Sequence, residues 1–142
     1  MEKNVELLNY IYQNAQMGLD TISHLIGIIE DDAYKKMLKS QYKEYDSIYQ
    51  DTKEKLESLH KEGKNIGLYQ KTSANVMINL KTLTDKTPSH ISEMMIQGST
   101  MGVIDSIKKL KEYKGADAEI LELGQKLLKF EEANIEECKK FL

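Results

Sequence analysis

Apolar side chains return at helical spacing through most of the chain, and the breaks between the repeats mark its elements. From about residue 3 to 30 the repeat is Val5, Leu8, Ile11, Ala15, Leu19, Ile22, Ile26 and Ile29, which lays these residues along one face of a long helix. Asp20 and His24 fall with Asn9, Gln13 and Gln16 on the opposite, polar side. Asp31 and Asp32 then offer N-cap oxygens to a second helix, about 32–62, after an almost immediate reversal. Its stripe is Tyr34, Leu38, Gln41, Tyr45, Ile48, Tyr49, Thr52, Leu56 and Leu59, and Gly63 suits the left-handed position that ends a helix. Residues 64–86 repeat more weakly: Leu68, Tyr69, Val76, Met77, Leu80 and Leu83 predict a shorter amphipathic helix over about 67–84. Thr87 as cap and Pro88 at the first helical position open a third long helix, about 88–114. It stops at Gly115. A last helix, about 117–141, starts at Asp117 and carries Ile120, Leu123, Leu127, Glu131, Asn134, Cys138 and Phe141 inward.

The third helix breaks the amphipathic rule. Met94 to Ile104 contains no charged residue, in a chain where charged residues make up 30%. A helix apolar on every side is buried on most sides, and this run is too short for a bilayer, which takes about 20 residues. The pattern therefore predicts a central helix enclosed by the others. Gly98 and Gly102, with Ser99 and Ser106 nearby, remove bulk for close helix approach, and Met94, Met95 and Met101 supply flexible side chains for irregular gaps.

Element lengths suggest the architecture. Four helices of this size are each roughly 40 Å long, and the first and last connections are tight, as in antiparallel hairpins. The middle connection is far longer, and a structureless loop of that size is uncommon in a compact domain. With a short helix of its own it spans the bundle, so the third helix runs parallel to the second. The expectation is an all-α single domain over 1–142: two antiparallel hairpins joined by one long crossover containing a short helix.

Composition narrows the function classes. One proline among 142 residues agrees with an all-helical chain, and the single cysteine, Cys138, allows no internal disulfide. The first residues lack a basic-then-apolar leader and no apolar run spans a membrane, which makes a cytoplasmic protein the expectation. All 20 basic residues are lysine and the net charge is −3. Without arginine's planar fork, and with acids interspersed among the lysines, nucleic acid is a poor partner.

Three constellations offer chemistry. Glu57 and His60 form a literal Glu-x-x-His, but the core stripe at Leu56 and Leu59 turns Glu57 outward. Asp20 and His24, four apart on the first helix, read as a surface or helix–helix pair. Glu131 differs, because it falls on the inner stripe of the last helix beside Asn134. Counting in from the hairpin ends brings it level with about Tyr42 and Gly98. Gln41, Tyr45, Gln97, Glu131 and Asn134 are then candidates for one internal polar layer. No lysine shares it, so the carboxylate must be hydrogen-bonded, take up a proton, or bind a metal. Cys138, among apolar neighbours, reads as a core residue.

In architecture the whole chain resembles the ferritin/rubrerythrin-like superfamily, in particular its small bacterial members of unassigned function. That resemblance implies two iron or manganese ions held by a Glu from each of two helices and a Glu-x-x-His from each of the others. This chain departs from the pattern: Glu131-Glu132-Ala133-Asn134 has asparagine in the histidine position, and Gln41-Tyr42-Lys43-Glu44 has no histidine. The third helix offers Gln97 or Thr100, with Glu93 a turn earlier on another side. Together the residues predict a non-catalytic ferritin-like bundle, a structural or protein-interaction module that acts as a homo-oligomer or with a protein partner, without catalytic residues or cofactor. Two alternatives stand beside it. One is a divergent iron or manganese carboxylate site on Glu131, Asn134, Gln97, Gln41 and Tyr45. The other is a partner surface on the crossover helix at Tyr69, Val76, Met77 and Leu80.

Overall fold

The computed structural model describes residues 2–59 and 83–142. These residues form four α-helices and no strand: α1 (Glu2–Ile28), α2 (Asp32–Ser58), α3 (Pro88–Glu112) and α4 (Ala118–Lys139). The expected crossover helix and its partner surface at Tyr69, Val76, Met77 and Leu80 lie outside the described residues, as do His60 and Gly63.

Local chemistry explains the helix starts. The Asp31 carboxylate accepts a 2.8 Å hydrogen bond from the Tyr34 backbone N–H, and the Thr87 hydroxyl accepts one of 3.3 Å from His90. Each satisfies an amide that the first turn leaves orphaned. Asp117 holds the cap position of α4, yet its side chain makes no capping bond. Its own backbone N–H donates instead to the Asn4 side-chain oxygen at 2.8 Å, tying α4 to the start of α1.

Packing proceeds by hairpins. α1 lies along α2, and α3 along α4; α4 also touches α1 and α2, while α3 meets α1 only lightly. Contacts fix the directions of the elements. Tyr12 and Tyr49 stack with hydroxyls 2.8 Å apart across the α1–α2 seam. Tyr45 meets Phe130 edge-on, Tyr34 meets Phe141 the same way, and Lys55 pairs with Glu119, so α2 and α4 run oppositely. The Ser92 hydroxyl donates to the Tyr34 hydroxyl at 3.0 Å, placing the first turns of α2 and α3 together.

The core gathers Leu7, Leu8, Ile11, Ile22 and Leu25 of α1, Tyr34, Leu38, Ile48 and Leu56 of α2, and Leu127 of α4, all sealed from solvent. Each such aliphatic side chain contributes about 1.5–3 kcal/mol relative to exposure. From α3 only Ile91, Ser92 and Ser106 are buried. The expected central helix is therefore the least enclosed of the four. The reason is its neighbours: among the described residues only α4 packs along its length. Met101 is 67% exposed, Ile104 47% and Ile107 40%. Met101 fills no gap, and a Cβ on Gly98 would meet nothing within 4 Å. The enclosed helix is α1, where Leu7 to Ile11 are all buried, including Asn9, and Gln13 to Ala15 follow.

Candidate functional site

Glu131 projects from the middle of α4 into the space between the helices and is 2% exposed. Gly102 of α3 makes the room: a Cβ there would stand 1.9 Å from the Glu131 Oε2 atom. The carboxyl thus lies directly on the α3 backbone, at a height where any side chain would evict it.

Its partners are neutral. The Asn14 Nδ2 group donates to Glu131 Oε1 at 3.3 Å and also to the Tyr10 hydroxyl at 3.3 Å. The Tyr10 hydroxyl and Ser106 Oγ are 3.1 Å apart, and Ser106 lies close enough to Glu131 to favour its ionised form. Four side chains from three helices are therefore linked in one chain, Ser106 of α3 to Tyr10 and Asn14 of α1 to Glu131 of α4. Burial pushes the Glu131 carboxyl up to about 8, against the pull of Asn14 and Ser106 and with a further push from Asp105. At neutral pH the group holds a proton, because an ionised carboxylate here would be desolvated without a cation.

Tyr45 of α2 adjoins this group, close to Asn134, and its own ionisation is pushed far up, mainly by burial and then by Glu131. A Cβ on Gly18 would lie 2.6 Å from the Tyr45 ring, so a second glycine seats a second member of the layer. Gln41, one turn earlier on α2, is 3% exposed; neither its amide nitrogen nor its amide oxygen has a hydrogen-bond partner, and the same holds for Asn134 Nδ2. Cys138 lies beside Gln41 and Tyr34, and burial raises its thiol.

Four of the five sequence candidates are thus buried together: Gln41, Tyr45, Glu131 and Asn134. Gln97 is not among them. It is exposed on α3, because it stands five residues from both Ser92 and Gly102, about 140° round the helix at 100° per residue. The expected register was also off by one turn on α3, where Gly102 rather than Gly98 faces Glu131. Sequence reasoning missed Tyr10, Asn14 and Ser106. Tyr10 and Asn14 border the Ile11 and Ala15 positions, one residue behind each, and Ser92, Ser99, Ser106 and Tyr113 step by seven along α3. Those two spacings were the available signals.

The remaining candidates stay apart from the layer. Asp20 and Glu57 are exposed, and His24 is half-buried with its Nε2 unpaired among the described residues. Two surface hollows are lined by other residues: one of about 400 Å³ by Asp51, Glu54, Lys55, Ser58 and Leu123, one of about 300 Å³ by Ser23, Ile26, Lys39, Tyr42 and Lys43. As a donor set the layer has one carboxyl (Glu131), three amides (Asn14, Gln41 and Asn134) and hydroxyls. Among the described residues no three His, Cys, Asp or Glu side chains converge as a metal site would require. The arrangement suits the retention of a proton and the fixing of helix register.

No known family matches the chain, and searches of curated proteins and of solved structures find no similar protein.

Proposed function

We propose that this protein is a non-catalytic, ferritin-like four-helix bundle that works in the cytoplasm as a structural or protein-interaction module. The observation that carries this reading is the outward turn of Met101, Ile104 and Ile107 on α3. Contiguous exposed apolar surface on a helical protein marks an interaction site, whereas inside the bundle Asn14, Tyr10 and Ser106 are linked to one another beside a neutral carboxyl. The ferritin-like arrangement, two hairpins joined by one long crossover, is supported by the meeting of Tyr34 and Ser92 at the starts of α2 and α3. No helix among the described residues is long and apolar enough to cross a membrane.

A second reading is favoured by the unpartnered amides of Gln41 and Asn134 near Glu131: a divergent iron or manganese site on Glu131, Asn134, Gln41 and Tyr45. Metal analysis of the purified protein, with a Glu131→Gln variant beside it, separates the two. The interaction module predicts no stoichiometric metal and a variant at least as stable as the parent above pH 8. Stoichiometric iron or manganese that disappears in the variant would establish the metal reading instead.

A further inference from the structure

The outer face of α3 has an order that its apolar content alone does not convey. Glu93, Gln97, Thr100, Ile104, Ile107 and Lys111 follow one another at steps of four and three, the spacing of a coiled-coil seam. All six are exposed. The Thr100 hydroxyl is bonded to the Ile96 carbonyl at 2.7 Å, which leaves its methyl group free for contact. Met101 widens the apolar centre on one side. The two charges at the ends, Glu93 and Lys111, have opposite signs and no ion-pair partner among the described residues.

This pattern is complementary to itself in one orientation. Turned about a twofold axis at the level of residue 102, the face sets Glu93 opposite Lys111, Gln97 opposite Ile107 and Thr100 opposite Ile104. Both end pairs are then of opposite charge, and the helix dipoles are antiparallel. A parallel arrangement would put Glu93 against Glu93 and Lys111 against Lys111. A twofold contact between identical patches is also the commonest form of protein association.

From this we propose that the exposed face of α3 is an interface for a second copy of this chain, docked antiparallel about a twofold axis beside residue 102. The proposal rests on reading the chain as an interaction module and names its partner. One helix against another gives a contact at the small end of specific interfaces, which implies reversible association.

Sedimentation of the whole protein over about a hundredfold range of concentration tests it. The parent should pass from the 16.3 kDa mass toward twice that value. Met101→Lys with Ile104→Lys should remain monomeric while keeping its helical circular dichroism. Glu93→Lys and Lys111→Glu should each weaken association roughly tenfold, and the two together should restore it. A parent that stays at 16.3 kDa throughout overturns the proposal but leaves the metal analysis to judge the broader reading. A dimer unaffected by the two lysines overturns the choice of face. Failure of the charge swap to restore association overturns the antiparallel register.

Discussion

The first half of α1 and the middle of α3 are the two longest uncharged stretches of the chain, and they meet opposite fates. Leu7 to Leu19 carries no charge, a longer run than Met94 to Ile104. Five consecutive residues of the first, Leu7 to Ile11, are buried; within the second, Met101 and Ile104 stand in solvent. The α1 run is the more polar of the two, since its buried positions include Asn9, Gln13 and Asn14. What decides is the number of neighbours. α1 packs along α2 and touches α4, and its neutral side chains find hydrogen-bond partners there, whereas among the described residues only α4 packs along the length of α3. An uncharged surface is free to be buried. It is not compelled to be.

The strongest way to break this contrast is the same substitution in both stretches. Ile11→Asn removes a sealed aliphatic side chain and buries an amide, and should cost about 4 kcal/mol in urea denaturation. Ile104→Asn should shift monomer stability by no more than about 0.5 kcal/mol. Equal costs would mean that α3 is enclosed after all.

An effect of similar size, about 5 kcal/mol over the whole pH window, should come from the proton on Glu131. Burial lifts this group in the folded state from 4.5 to about 8. Its contribution to stability is therefore whole below about pH 4.5. It declines by about 1.4 kcal/mol per pH unit up to about pH 8, and is lost above that. The difference between the parent and Glu131→Gln, followed by denaturation at pH 4.5 and pH 9, should widen in favour of the variant at the higher pH. A difference that does not change with pH would mean that Glu131 is ionised or solvated in the fold.

The two glycines of α3 sharpen the comparison within one helix. Gly102→Ala should cost about 2–3 kcal/mol by driving the new methyl into the Glu131 carboxyl, and most of that should return in a Glu131→Ala background. Gly98→Ala, facing open space, should instead stabilise by about 0.5–1 kcal/mol through helix propensity. Thermal denaturation of the four variants is sufficient to compare them.

Much of this architecture was legible in residue spacing. The inner stripes of α2 and α4 were read nearly residue for residue, because each alternates a clear apolar seam with lysines and acids; Gln41 and Glu131 stand out there as polar positions on an apolar face. Helix ends were legible wherever a cap announced them, as Asp31 and Thr87 do. The site was half legible. Glu131, Asn134, Gln41 and Tyr45 share the layer, but Tyr10, Asn14 and Ser106 escaped because small or neutral polar side chains look the same on a buried face as on a wet one. Gln97 failed for a different reason. On a helix without charges nothing in the sequence says which side faces in, and a register wrong by one turn exchanged Gly98 for Gly102.

The single thiol has a use that its surroundings create. Cys138 is 1% exposed on the last turns of α4, near Gln41, and burial holds its thiol in the unreactive, protonated form. A thiol reagent reaches it only when that end of the helix opens, so the pace of modification measures the free energy of local opening. The protein thus carries its own clock for the fraying of its C-terminal turns, with no other sulfhydryl to blur the reading.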